Sequence, residues 1–149
     1  MKIVVNEQTH LSEFRSSDKD ALVEHLNDWD IYDRTLRIPF PYNGSDADKW
    51  LALVAKITAQ QGRPVVWAIR NADDSLIGAC GFDGIQIGKS HHGELGYWLS
   101  KPFWGRGLMT SVVKSVCRHA FEEFGLEKIT AHVFSDNAAS ARVLEKCRR

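Results

Sequence analysis

Residues 103–110 read FWGRGLMT, with Gly105 and Gly107 on either side of Arg106 and a helix-patterned run directly behind. Glycine is a poor helix former, so two of them at the mouth of a helix need a reason. One is a tight turn. The other is a ligand that must come closer to the backbone than a Cβ allows. The first turn of a helix leaves N–H groups unpaired and carries a partial positive charge, which suits a phosphate or pyrophosphate. Arg106 adds a formal charge. The stretch fits neither GxxxxGK(S/T) nor the spacing of GxGxxG, so it is not a nucleotide loop of either kind.

Other reactive residue types are sparse. His91 and His92 sit together in a polar loop, where they can touch an acceptor or stand in solvent. No third ligand lies at metal spacing, so no metal site is expected. Cys80, Cys117 and Cys147 are odd in number and far apart, and they form no CxxC pair. They read as reduced thiols of a cytoplasmic protein. Nineteen basic and nineteen acidic residues cancel, which argues against nucleic-acid binding by bulk charge. The apolar run in MKIVVNEQTH is too short for a signal peptide, and no stretch approaches the roughly 18 apolar residues of a membrane span.

The 149 residues, 44% hydrophobic and 26% charged, fit one globular domain with its own core. Ser16 or Ser17, with Asp20, predicts the start of a helix that carries Ala21, Leu22 and Leu26 on one face. Ser45 with Asp48 predicts a second, carrying Trp50, Leu51, Val54 and Ile57 and stopped by Gly62 and Pro64. Between them RIPFPYNG reads as an ordered loop. Val65–Ile69 and LIGACGF, joined by NADDS, read as a hairpin, and GELGYWLS as a third strand. Behind the glycine loop a helix runs to about Phe124, burying Val112, Val113, Val116 and Ala120 and exposing Lys114, Arg118, Glu122 and Glu123. KITAHVF is a further strand, and a last helix covers about Ala138–Lys146. The order predicts an α+β (mixed α/β) domain on one largely antiparallel sheet. The strands before and after the glycine-loop helix should be parallel, which puts the loop at a strand's carboxyl end, where ligands bind in such units.

Gly93–Thr110, together with Asn137-Ala-Ala-Ser140-Ala-Arg142-Val143-Leu144-Glu145-Lys146-Cys147, resembles the GNAT superfamily of acyl-CoA-dependent N-acyltransferases. Their pyrophosphate loop is written (Q/R)xxGx(G/A). Trp104 stands at the Q/R position, Gly107 at the central glycine and Met109 at the G/A position. Both ends depart from that pattern, in a way that resembles the Rim-type branch (RimJ/RimL-like, ribosomal-protein N-terminal acetyltransferases), where PxxWGxGxxT and NxxSxxVLEKxGF are common. LRIPFPY resembles the acceptor-side loop of that branch. The resemblance covers most of the chain and implies helices on both faces of the sheet, with the parallel strand pair splayed.

The resemblance also implies roles. Acetyl-CoA is the co-substrate. Its pantetheine arm is expected along the backbone of Tyr97, Trp98 and Leu99, opposite the lip KITAHVF. The amides of Gly105, Arg106, Gly107, Leu108 and Met109 would take the pyrophosphate, with Thr110 supporting from the first turn. Asn137 would reach the coenzyme or cap the last helix, and Ser140 would do the same or be a first-turn residue. Glu94, at the start of its strand, is the candidate base that draws a proton through water, or else an exposed strand-end carboxylate. His132 reads as a core histidine, and Tyr97 and Trp98 also as core and lip packing. Trp29, Tyr32, Phe40, Tyr42 and Trp50 can line an acceptor pocket or belong to the core.

An α-amine, with a pKa of about 7.7–8.0, offers far more neutral amine near pH 7 than lysine at about 10.4. A protein or peptide N-terminus is therefore the expected acceptor, attacked directly in a ternary complex, with a small-molecule amine and a non-catalytic acyl-CoA-binding module as the alternatives. Family chains continue with GF and two more strands, where this sequence has Arg148 and Arg149. A chain ending there is expected to leave KITAHVF as an open edge, a surface for a homodimer.

Overall fold

The computed structural model describes residues 2–31 and 38–131. Among these described residues six strands form one sheet in sequence order: β1 Lys2–Asn6, β2 Thr9–Ser12, β3 Val66–Asn71, β4 Leu76–Asp83, β5 His92–Leu99 and β6 Lys128–Ala131. Neighbours are antiparallel except β5 and β6, which are parallel. Helices α1 (Lys19–Leu26) and α2 (Gly44–Gln61) lie between β2 and β3, and α3 (Leu108–His119) joins β5 to β6. The expected mixed architecture and parallel crossover are both present. The rest of KITAHVF, its splay from β5 and the helix around 138–146 lie outside the described residues.

The hairpin β1–β2 was not expected. Its signal is the alternation of Lys2, Ile3, Val4, Val5 and Asn6, in which Ile3 and Val5 turn toward the core and Val4 stays exposed. Both helix starts are also shifted from expectation. Asp18, not a serine, meets the chain ahead of α1: its carboxylate accepts from the Arg15 N–H at 2.7 Å. Ahead of α2, Asn43 and Asp46 form the reciprocal box that Ser45 and Asp48 were expected to form. Asn43 Oδ1 accepts from the Asp46 N–H and Asp46 Oδ2 from the Asn43 N–H, both at 3.0 Å. Asn43 is extended and can cap, whereas Ser45 is already inside the helix.

Two cores sandwich the sheet. On one face Val112, Val113 and Val116 of α3, with Ala120 and Phe124 of the following π-turn, pack on Trp67, Ile69, Cys80, Phe82, Leu95 and Leu99. On the other, Leu22 and Leu26 of α1 and Ala47 of α2 pack on Ala68, Ala79 and Trp98. Ala68 pairs with Ala79 and Ala79 with Trp98, so small residues let the helices approach while the indole fills the remaining depth.

Arg70 ties α1 to the sheet. It is 1% exposed and its partner Asp18 5%. Nη1 and Nη2 each donate to one Asp18 carboxylate oxygen at 2.8 Å. Nε donates to Ser12 Oγ at 2.7 Å, Nη2 also to the Glu13 carbonyl at 2.9 Å, and Nη1 to the Asp74 carbonyl at 3.5 Å. All five guanidinium N–H groups thus have acceptors. Replacing one partner strands the other without water. Asp18→Ala should lower the unfolding free energy by about 3–5 kcal/mol, measured by urea denaturation. The double change Asp18→Leu with Arg70→Met should recover part of that loss.

Candidate functional site

Gly105 and Gly107 both take left-handed backbone, with φ of 75° and 72°. That conformation is what demands glycine, because a Cβ built at either position meets no protein atom within 4 Å. The space in front of the loop is therefore open. Gly107 is the N-cap of α3 and offers no side chain to cap it. The first bond of the helix runs from the Ser111 N–H to the Gly107 carbonyl at 3.2 Å. The N–H groups of Leu108, Met109 and Thr110 precede that bond, and the side chains of Leu108 and Met109 pack into the α3-side core. Arg106 is exposed, its guanidinium 5.8 Å from the centre of the Phe103 ring. The loop thus holds three adjacent helix-end donors and one cation beside an open approach, a fit for a di-anionic phosphate group.

The chain reaches the loop from β5, and both ends of that approach are held. Ser100 donates its N–H to the Ile77 carbonyl at 2.7 Å. Antiparallel alternation then turns the N–H and C=O of Trp98 toward β4 and those of Tyr97 and Leu99 toward the β6 side. The Leu99 carbonyl already accepts from the Trp104 indole at 2.7 Å. Of the three residues expected along the pantetheine arm, Tyr97 and Leu99 therefore offer backbone on that side. His25 Nε2 meets the Leu76 carbonyl at 2.9 Å, which fixes its proton there. Its Nδ1 then accepts from the Ser100 hydroxyl at 3.1 Å. The Lys101 ammonium pairs with Asp30. Neither link had a sequence signal, since their partners lie 75 and 71 residues apart.

The faces of β5 divide the work. Leu95, Tyr97 and Leu99 join the α3-side core, whereas Glu94, Gly96 and Trp98 lie on the α1–α2 side. Glu94 is half-buried and pairs with Asp83 on β4 and Thr130 on β6. A Cβ at Gly96 meets nothing within 4 Å, so the strand backbone is open between Glu94 and Trp98. A reactant lying there would reach Glu94 on one side and the loop end of β5 on the other.

The chain as a whole is similar to known proteins. Residues 8–148 match the family model described as acetyltransferase (GNAT) domain. The chain belongs to the GNAT acetyltransferase family. It is 36% identical over 88 residues to the uncharacterized N-acetyltransferase YoaA of Bacillus subtilis (strain 168), covering 58% of this chain and 49% of that one. The uncharacterized N-acetyltransferase p20 of Bacillus licheniformis is 24% identical over 97% of this chain and 80% of its own. Against YoaA the match thus spans about half the relative's length. Among solved structures, RimL, a ribosomal L7/L12 alpha-N-protein acetyltransferase in complex with coenzyme A, superposes with a TM-score of 0.82. It is 19% identical, over 98% of this chain and 82% of that one, and the likeness is one of fold.

The GNAT chain places Glu94 near the start of β5, and Tyr97, Leu99 and the loop 105–110 toward and beyond its carboxyl end. Asn137, Ser140 and His132 lie outside the described residues, as does Tyr32. The aromatic set divides. Tyr42 is buried, and Trp50 packs edge-on against Phe14 at 5.9 Å, so these two are core. Trp29 and Phe40 are 58% and 42% exposed and meet edge to face at 5.5 Å. Asn27, which the sequence did not single out, clamps this segment. Its carboxamide accepts from the Tyr42 N–H at 2.6 Å and donates to the Tyr42 carbonyl. Among the described residues no helix is long and apolar enough to cross a membrane.

Gly125, at φ 74°, ends the π-turn that follows α3 and has the same open surroundings as Gly107. A substitution at either site carries the same backbone strain, about 1–2 kcal/mol. Gly107→Val should weaken coenzyme A binding several-fold or more in calorimetric titration, while Gly125→Val should lower stability alone. Equal affinities in the two variants would make Gly107 a turn residue only.

Proposed function

We propose that the chain is an acetyl-CoA-dependent N-acetyltransferase of Rim-like type, acting on the α-amine of a protein or peptide. One observation carries the reading. Two left-handed glycines hold the first-turn N–H groups of α3 open to an anion, at the end of the strand that carries Glu94. The coenzyme-bound RimL fold supports the coenzyme, and the activity of RimL as a ribosomal L7/L12 alpha-N-protein acetyltransferase supports the acceptor.

Gly105, Arg106, Gly107, Leu108 and Met109 would hold the coenzyme's pyrophosphate, with Thr110 behind them. Tyr97 and Leu99 would flank its pantetheine arm. Acetyl-CoA supplies a thioester acyl group, and coenzyme A departs as the thiolate. Glu94 takes a proton from the acceptor's ammonium, directly or through one water, so that a neutral nitrogen faces the acyl carbon. The C–N bond forms as the C–S bond breaks, and the second nitrogen proton passes to the departing thiolate, which leaves the site as the free thiol. The open floor at Gly96 and the fixed loop bring the reactants together, and orientation supplies much of the rate. Trp29 and Phe40, held by the Asn27 clamp, form the acceptor side.

Glu94→Gln should lower kcat by about 10²–10⁴-fold and leave coenzyme affinity unchanged, measured by thiol release and by titration. A peptide with a free N-terminus should be acetylated faster than the same peptide N-blocked and carrying an internal lysine. Equal or reversed rates point to a lysine or small-amine acceptor instead. Tight coenzyme binding with no turnover on any peptide, polyamine or amino acid makes the chain a binding module.

A further inference from the structure

Glu94 does not face the acceptor side alone. His92 lies two residues earlier on β5 and shares its face. Thr130 lies beside Glu94 in the parallel register, and its hydroxyl is 2.6 Å from His92 Nε2. Glu94 and Thr130 are half-buried and His92 is exposed. A carboxylate, a hydroxyl and an imidazole therefore run along one face from the interior of the site to water. The charged neighbours on the flanking strands are Asp83, opposite Glu94 on β4, and Lys128, opposite His92 on β6.

A base that takes one proton per turnover must lose it before the next. We propose that Thr130 and His92 form the route by which Glu94 returns its proton to solvent, an inference that rests on acetyl transfer as proposed above. The acceptor's ammonium gives a proton to the Glu94 carboxylate. The resulting carboxylic acid passes a proton to the Thr130 oxygen as the Thr130 hydroxyl proton moves to His92 Nε2. The imidazolium then releases a proton to water, the Thr130 hydroxyl rotates back, and every group regains its starting charge. Histidine suits the last position because an imidazole nitrogen can accept a proton and the imidazolium can give one up to water. Thr130 supplies a hydroxyl that can accept and donate in one movement.

The test uses the full chain with acetyl-CoA and the best acceptor from the peptide and amine panel. His92→Ala should lower kcat about tenfold, less than loss of the base itself, with the KM for acetyl-CoA unchanged. Imidazole added to the buffer should restore part of the lost rate in this variant and leave wild type unaffected. Thr130→Val should lower kcat to a similar degree, and Thr130→Ser should retain it. A cross-strand contact that only supports the fold would lower the Tm, and imidazole would restore nothing. Wild-type turnover with an unaltered or unrescued His92→Ala overturns the relay alone. Absence of wild-type turnover with every acceptor overturns acetyl transfer, and the relay with it.

Discussion

The guanidinium of Arg70 sits where water does not reach, and the α1–α2 side of the sheet is built on it. Its fork on Asp18 joins β3 to the turn that launches α1, and its contacts with Ser12 and Glu13 bring in the end of β2. Asp18 also receives the Arg15 N–H, so one carboxylate sets both the helix start and the strand connection. From that anchor α1 lays Leu22 and Leu26 on Ala68, Ala79 and Trp98 and puts His25 against Ser100. An unpaired ion at this depth is costly, so the placement of α1 is a choice between fully made and not made.

The site draws on both cores without lying in either. Strand β5 gives Leu95, Tyr97 and Leu99 to the side packed by α3, and Glu94, Gly96 and Trp98 to the side packed by α1 and α2. The glycine loop follows as β5 ends, and its helix returns across the α3 side to deliver β6 and Thr130 beside Glu94. A single crossover therefore sets the spacing between the anion end and the carboxylate. The contacts His25–Ser100 and Lys101–Asp30 tie the same strand end to the segment that carries Trp29.

Patterning made most of the architecture legible, because α3 repeats its core residues at helical spacing, β5 alternates, and β3 and β4 are continuous buried runs bounded by turn residues. It missed β1, whose five residues alternate weakly and leave Val4 exposed. It misplaced the cap of α2 because NGSDAD holds two overlapping i, i+3 pairs. Backbone angles at Asn43 decide between them, and those depend on how Tyr42 is held. The loop and Glu94 stood out as candidates because glycine and carboxylate carry meaning at fixed positions within one segment. Arg70 with Asp18, Asn27 with Tyr42 and His92 with Thr130 were not. Each pair joins residues that are distant in sequence, and a polar side chain at the end of an element reads equally well as solvated. The split of the aromatics was hidden for a related reason: Tyr42 and Phe40 stand two apart in one loop, and only its folded path buries one and exposes the other.

The helix-end donors of α3 have a consequence for how this sequence can change. Every amino acid except proline carries an N–H, so positions 108 and 109 can exchange residues without altering what they present to an anion. Their side chains answer to a different constraint, the core beneath α3. One residue thus serves two masters that do not compete, and the loop can be respelled while its chemistry stays fixed. Mutational libraries aimed at the α3 core can therefore include 108 and 109 freely. Positions 105 and 107 have no such latitude, because there the left-handed backbone angle itself calls for glycine. A motif written in side chains will under-read such a site, as Trp104 and Met109 already show at the two ends of this one.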